Sequence, residues 1–331
     1  MPGYYFISLS LFGAAVTFNN IMSTAAEEDD TIMMFCASCG IAGGDDINLK
    51  RCNGCYLVRY CGVKCQKDHW KQHKKGCKKR AAELKDEILF KQPESNHYGD
   101  CPICCLPLPI DAQKSTMYQC CSKYICLACS HANVKREIEG RLERKCPFCR
   151  TAAPKTDEES NERMMNRVEA NDSVAMREIG LERYHKGDYM AALEYSAKAA
   201  ALGDADAHFH LSTLYLFGLG VEKDKKKQRH HLEQAAIGGH PGARHNLALL
   251  EGRNGQHNRA AKHWIIAAKL GCDNSLKCVR DLCKDGHVSK EDYAAALRGH
   301  KAAIDATKNP QRERAYEFFK TYDILKRTIK V

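Results

Sequence analysis

Small and apolar positions recur through the back half of the chain at helical spacing. The pair Ala199-Ala200 followed by Gly203 returns as Ala235-Ala236 with Gly239, and again as Ala267-Ala268 with Gly271, at offsets of 36 and then 32 residues. Ala207, Ala243 and Ser275 keep this register, as do Leu211, Leu247 and Val279; 32 residues earlier, Ala175 and Ile179 fit a preceding copy. A period of this size predicts a solenoid of helix-turn-helix units over 171–305, three to four in number. Small residues let paired helices approach closely, while the leucine positions form the stripe that each unit buries on the next. Ser289 through Asp292 predicts a further helix start with acidic residues in its first turn, and 306–331 a C-terminal helix or tail.

The front half has no such period. Lys78 to Lys91 reads as a charged helix stopped by Pro93, so 78–100 is expected to link two segments, and 151–170 reads as a second, charged linker. Tyr4 to Phe18 is weakly apolar, too short to span a bilayer and without a preceding Lys or Arg for a signal peptide. Met22 opens an ordinary cytosolic-looking start, which marks residues 1–21 as an artefact of the assigned start or as part of a tail over 1–35.

Composition changes the picture at one point. Of 331 residues, 44% are hydrophobic and 28% charged, which excludes a wholly disordered chain and a polytopic membrane protein. Nineteen are cysteines, and sixteen of these fall between Cys36 and Cys149. Closely spaced Cys-x-x-Cys pairs set thiolates at the right reach for zinc in a reducing compartment, so the cytoplasm or nucleus is expected. Segments this small bury too little apolar surface to fold alone, and a structural zinc supplies roughly 10 kcal/mol or more per site in finger peptides. The expected fold is therefore a pair of small zinc-stabilised α+β modules followed by an all-α solenoid.

Over 36–77 the pairs Cys36/Cys39 and Cys52/Cys55 are followed by YCGVKCQKDHWKQHKKGC, from Tyr60 to Cys77. That is eight candidate ligands, enough for two tetrahedral sites. The aromatic-Cys at Tyr60-Cys61, then Cys65, His73 and Cys77 at their spacing, resembles the MYND finger. The resemblance implies interleaved sites, with Cys36, Cys39, Cys61 and Cys65 on one zinc and Cys52, Cys55, His73 and Cys77 on the other. A short helix is expected within Lys64 to Cys77, because His73 and Cys77, four apart, share a face. His69 competes with His73 on spacing to Cys65; the family pattern favours His73 and leaves His69 a surface role. The resemblance also implies binding of short proline-containing peptides beside Trp70, against the plainer role of Trp70 as a cap on a minimal apolar cluster. Some members of that family carry a lysine methyltransferase domain, which nothing here resembles.

Over 101–150 the order is Cys101-Pro-Ile-Cys104, then Cys120, Cys121, Cys126 and Cys129, then Cys146-Pro-Phe-Cys149-Arg150. Two outer pairs around an inner four resembles a cross-braced RING finger. Carried over, Cys101, Cys104, Cys126 and Cys129 hold one zinc, and Cys120, Cys121, Cys146 and Cys149 the other, giving four Zn2+ in the chain, two per finger. Where many RING fingers have a histidine, this chain has Lys123, which cannot ligate while protonated. His131 stands as a substitute for Cys120 or Cys121, and Cys105 is a spare thiol. The resemblance implies a ubiquitin-protein ligase that orients a ubiquitin-charged conjugating enzyme without a covalent intermediate. Ile103, Pro147 and Arg150 match the enzyme-contacting positions. The stretch from Ser130 to Lys145 lacks the tryptophan of many active ligases and offers Val134, Ile138 and Leu142. A finger that folds but recruits nothing, in a non-enzymatic interaction adaptor, is the alternative.

In the back half, Tyr215 to Asp224 resembles the inter-helix loop of Sel-one-like repeats, relatives of the tetratricopeptide repeat. That implies a surface for protein partners, against a mere spacer. Cys272, Cys278 and Cys283 form no Cys-x-x-Cys pair and read as small packing residues, and His208, His210, His230 and His231 as surface or packing residues. No Ser-His-Asp order or phosphate-binding glycine loop appears. The formal charge is +10, and Lys64 to Lys85 carries nine Lys or Arg against Asp68 and Glu83. Fifteen zinc-bound thiolates and four Zn2+ would bring the total to about +3, so a solvated helix accounts for this stripe better than nucleic-acid binding.

Overall fold

The computed structural model describes residues 35–44 and 46–328, with side chains as far as 320. The expected tail over 1–35 lies almost wholly outside the described residues. The chain divides into two units, one ending at Lys91 and one beginning at Gln92.

In the first unit, too few apolar residues are available for a conventional core, and cysteine takes their place. Cys36, Leu49, Cys52, Cys55, Tyr60 and Cys77 are buried together, with Ala37, Val58, Cys61 and Cys65 packed on them. Two short strands, β1 (Lys50–Arg51) and β2 (Arg59–Tyr60), pair antiparallel with Lys50 opposite Tyr60. Gly62, in extended conformation, then releases helix α1 (Val63–Phe90). The short helix expected up to Cys77 and the charged helix after it are thus one element of 28 residues. The helix runs on through Gly76, where a Cβ would meet nothing within 4 Å. Cys77, Leu84, Ile88 and Leu89 are its buried residues, and Lys91, two residues before Pro93, leaves the helix with an extended ψ of 132°.

The second unit opens with a small module. Strands β3 (Ser115–Tyr118) and β4 (Lys123–Cys126) form an antiparallel hairpin with Ser115 opposite Cys126, leading into helix α2 (Leu127–Glu139). Its core joins Leu108, Ile125 and Ala128 to Cys101, Cys126 and Cys129. The segment expected as a charged linker holds helix α3 (Asp157–Glu169), whose N-cap Thr156 accepts from the Glu159 amide and whose Met164 is buried.

Four helix pairs follow: α4 (Ser173–His185) with α5 (Tyr189–Ala201), α6 (Ala205–Phe217) with α7 (Lys225–Ile237), α8 (Pro241–Arg253) with α9 (His257–Lys269), and α10 (Asp273–Lys284) with α11 (Lys290–Ala306). The register positions fill the core: Ala175, Ala207, Ala243 and Ser275 are all at 0% exposure, as are Leu247 and Val279. The recurring glycines Gly203, Gly239 and Gly271 adopt φ of +86°, +83° and +97° just past a helix end, the left-handed turn that admits glycine without strain. Gly220 serves a close approach instead, since a Cβ there would sit 2.6 Å from the Tyr189 carbonyl oxygen. Side chains of Asp172, Asp188, Asp204, Asp224 and Ser289 cap the helices that follow them. A last helix, α12 (Pro310–Thr328), returns to pack on α2.

Candidate metal centres and their surroundings

Four Cys-x-x-Cys segments share one backbone form. In each, the residue after the second cysteine has positive φ: Gly40 (+74°), Tyr56 (+58°), Cys105 (+52°) and Arg150 (+64°). Its amide donates to the carbonyl of the first cysteine, over 2.9 Å at Gly40 and Tyr56, 2.8 Å at Cys105 and 3.0 Å at Arg150. The first cysteine's own amide is bonded too, to Ile41, Val58, Leu106 or Thr151, at 2.7 to 2.9 Å. The chain accepts left-handed backbone at three non-glycine residues to hold these knuckles, which turn both thiols to one side.

The structure gathers four cysteine-containing sets of ligand-type atoms, each within 4.8 Å: Cys36, Cys39, Cys61 and Cys65; Cys52, Cys55, His73 and Cys77; Cys101, Cys104, Cys126 and Cys129; and Cys120, Cys121, Cys146 and Cys149. Strand β2 and the first turns of α1 bring Cys61, Cys65, His73 and Cys77 to the two knuckles of the first unit. In the second unit, the end of β4 and the start of α2 carry Cys126 and Cys129, while the turn between the strands carries Cys120 and Cys121. Sulfur separations of 3.6 Å (Cys39–Cys61), 3.5 Å (Cys61–Cys65), 3.7 Å (Cys52–Cys77), 3.9 Å (Cys104–Cys126), 3.8 Å (Cys121–Cys146) and 3.3 Å (Cys120–Cys149) recur across the sets. Tetrahedral zinc with bonds of about 2.3 Å calls for sulfurs about 3.8 Å apart. His73 presents Nε2 to Cys55 Sγ at 3.4 Å, as a mixed S/N site needs.

Electrostatics points the same way. Each set contains one thiol held low beside others pushed up. In Cys36 burial pushes upward, yet the amides of Cys39, Cys61 and Ser38 hold it to about 6. Cys52 is lowered by the Gly54 and Cys55 amides against its burial. Cys101 falls to about 4, chiefly through the Cys126 thiol, and Cys149 to about 6 through Thr151 against burial. Their companions rise: Cys61 to about 12 through its thiol contacts with Cys65 and Cys39, and Cys77 and Cys129 to about 12 chiefly by burial. Four thiols this close cannot all ionise on their own, and a divalent cation removes that conflict. All nineteen cysteines are free.

Several side residues are now placed. His69 lies outside the second set; it is half-buried, with Nδ1 3.0 Å from the Tyr60 hydroxyl and its ring stacked 5.6 Å from His73. It is therefore more than the surface residue expected. His131 packs against Phe318 and Phe319 on α12, at 4.8 Å and 5.3 Å between ring centroids, and is not among the fourth set. Cys105 is exposed at its knuckle. Trp70 is 41% exposed on α1, with its ring edge toward His73 at 6.3 Å. Ile103 (42%) and Phe148 (45%) are exposed at the tips of their knuckles, with Pro147 half-buried and Arg150 exposed. Val134 is half-buried, while Ile138 and Leu142 are exposed. On the basic face of α1, Lys79 and Arg80 pair with Glu83, and Arg80 also with Glu87. Cys278 and Cys283 pack on the last repeats' core, as expected of small apolar residues.

Sequence reasoning missed one cluster. His97 and His240 each bring Nε2 to the same oxygen of Asp206, at 2.9 Å and 3.1 Å, and their rings stack 4.4 Å apart at 16°. Ligand atoms of the three residues lie within 4.8 Å of one another. His240 is also the N-cap of α8, its Nδ1 accepting from the Ala243 amide at 3.1 Å. Asp206 meets Arg177 through its other oxygen. This is a buried polar joint between the lead-in to Cys101 and the repeats; its members lie far apart in sequence, and no spacing motif marks it.

Comparison with known proteins places these sites in context. Residues 36–77 match the family described as MYND finger, so the chain carries a MYND finger there. Tudor domain-containing protein 1 of Oryzias latipes is 36% identical over 63 residues, 19% of this chain and 5% of that protein. Histone-lysine N-methyltransferase ASHR1 of Arabidopsis thaliana is 44% identical over 46 residues, 14% of this chain and 10% of that protein. The chain thus spans a tenth or less of the length of these curated relatives. Among solved structures, a Sel1 repeat protein from Oxalobacter formigenes is similar at TM-score 0.40 and 18% identity, over 59% of this chain and 86% of that one. The protective antigen c5321 of uropathogenic Escherichia coli strains, with an SLR fold, is similar at 0.36 and 20%, over 50% and 37%. Among the described residues, no helix is long and apolar enough to cross a membrane.

Proposed function

We propose that this chain is a four-zinc, RING-type ubiquitin-protein ligase whose MYND finger and helical repeats recruit protein partners. Two zinc ions sit in the finger over 36–77, on the Cys36/Cys39/Cys61/Cys65 and Cys52/Cys55/His73/Cys77 sets, and two in the module over 101–150, on the other two sets. Zinc here supplies fold rather than reaction chemistry. The chain's own residues do the rest: Ile103 and Pro147 seat a conjugating enzyme, and the Arg150 guanidinium bridges its carbonyls and those of ubiquitin with several fixed donors. The repeats over 171–305 hold substrate, and Trp70 contributes to peptide binding on the MYND finger.

The observation carrying this reading is the interleaving over 101–149. The first Cys-x-x-Cys pair groups with Cys126 and Cys129, the last with Cys120 and Cys121, and Ile103 and Phe148 inside the two knuckles stay exposed. A single-turnover assay tests it: full-length zinc-loaded protein should accelerate discharge of ubiquitin from at least one conjugating enzyme in a broad panel. No acceleration with any of them would refute the ligase reading.

A second reading is a non-enzymatic zinc-dependent adaptor. It is favoured by α2, where Asn133 is turned inward to Glu137 and the Lys145 carbonyl and no tryptophan is present. It predicts partner capture through the repeats that is indifferent to Ile103→Ala.

A further inference from the structure

Arg312 sits in the first turn of α12, 208 residues beyond Cys104, and is only 1% exposed. A guanidinium cannot shed its proton in a protein interior, so burying one costs several kcal/mol unless counter-charge and hydrogen bonds compensate. Its Nη1 donates to the carbonyls of Pro107 (2.7 Å) and Thr307 (2.8 Å). Its Nη2 donates to the Leu106 carbonyl (3.1 Å) and to Cys104 Sγ (3.2 Å). Among the described residues, none of these acceptors is a carboxylate. The partners able to carry formal charge are thiols of the Cys101/Cys104/Cys126/Cys129 set, Cys104 at 3.2 Å and Cys126 beside it. Four thiolates around Zn2+ leave a net charge of about −2, which is the missing counter-charge.

The rest of α12 reinforces the contact. Ala315 is buried in one cluster with Cys101, Cys126 and Cys129. Lys114 lies over the Tyr316 ring at 5.3 Å, and Phe318 and Phe319 enclose His131, two residues past Cys129. Leu106, whose carbonyl Arg312 caps, already accepts the Cys101 amide at 2.9 Å, so one guanidinium closes the back of the whole knuckle.

We infer that Arg312 is a positioning residue for the first metal site of the 101–150 module, and that the C-terminal helix is an integral part of that site: it donates to the Cys104 thiolate and neutralises the metal-thiolate charge from a point 208 residues away. The inference rests on the zinc assignment proposed above. Lysine does not replace this arginine, because one ammonium cannot serve four acceptors spread over a planar fork.

The test uses full-length protein loaded with zinc, challenged with a chelator and a colorimetric zinc dye. Arg312→Gln should release one zinc of four at least tenfold faster than the native chain, the usual scale for loss of an outer-shell partner, with the other three unchanged. Arg312→Lys should fall between the two. In the cobalt-substituted protein, Arg312→Gln should also shift part of the sulfur-to-metal charge-transfer band, a change that a role confined to helix packing would not produce. Release of all four ions at the native rate, or a uniform acceleration of all four, overturns the inference. A native chain that binds no zinc would instead bring down the metal assignment itself, and the two failures are distinguished by the zinc content before chelation.

Discussion

The hydroxyl of Tyr124, on β4 of the cysteine-rich module, stands between two charged residues of the first repeat helix: it donates to Glu178 Oε1 over 2.6 Å and accepts from Arg177 Nη2 over 2.8 Å. Arg177 is 4% exposed and extends the link to Asp206 on α6, which His97 and His240 share. The module over 101–150 is thereby tied to two successive repeats, which fixes the direction of Ile103 and Arg150 relative to any partner held on the repeats. Arg177→Ala removes the guanidinium that Asp206, Asp204 and Glu178 share and leaves Asp206 only its two histidine contacts. It is expected to destabilise the second unit by about 3–5 kcal/mol, as loss of one partner of a buried ion pair does. Chemical denaturation followed by circular dichroism checks this, and a change below about 1 kcal/mol would show the joint to be peripheral.

The repeats should weaken in acid. Burial lowers His208 and His210 to about 4, and His231 and His263 to about 3, while the unfolded chain titrates near 6.5. Above that unfolded value both states are neutral and nothing is lost. As pH falls from about 6.5 toward 4, the unfolded state takes up protons that the folded state refuses, so stability declines. At pH 5 the loss is on the order of 1–2 kcal/mol per histidine. Thermal melts in excess zinc should show the midpoint falling between pH 7 and pH 5. The fall should be smaller in His208→Asn, and an equal fall in that variant would assign it elsewhere.

His69 and His73 separate cleanly by substitution. His73→Cys should retain the full zinc complement, since a thiolate can replace the imidazole, whereas His73→Ala should lose one ion. His69→Ala should keep every ion and lose only its contacts with the Tyr60 hydroxyl and the His73 ring. Loss of zinc in His69→Ala would reassign the ligand.

Arg150 adopts φ of +64°, a conformation that glycine takes without strain. Arg150→Gly is therefore expected to leave stability unchanged or slightly raised while slowing ubiquitin discharge, and Ile103→Ala should slow it with zinc content intact. Unchanged discharge in both variants would remove the ligase surface from the account.

What the chain discloses locally is legible in its sequence, and what it builds across long distances is not. Ala207, Ala243 and Ser275 betrayed the repeats because a close helix crossing tolerates only small side chains there, and each is at 0% exposure. Cysteine spacing showed the knuckles because each is a local turn, whereas the grouping of their thiols into four sets came from the resemblance to MYND and RING fingers. Segment 151–170 read as a linker because its charges mask Met164, although Thr156 and Glu159 form a capping pair that could have announced α3. The Arg312–Cys104 contact and the Arg177–Asp206–His97 joint carry no local signal, since each depends on how the solenoid returns its helices to the module.

Fifteen thiolates and one histidine are proposed to hold four zinc ions. Native mass spectrometry of the reduced full-length protein, before and after stripping with chelator, tests it most directly. Four Zn2+ per chain are expected in the starting material, with loss of the folded cysteine-rich segments once they are removed. A metal-free native chain, or one whose cysteines in 36–149 are joined as disulfides, would contradict it.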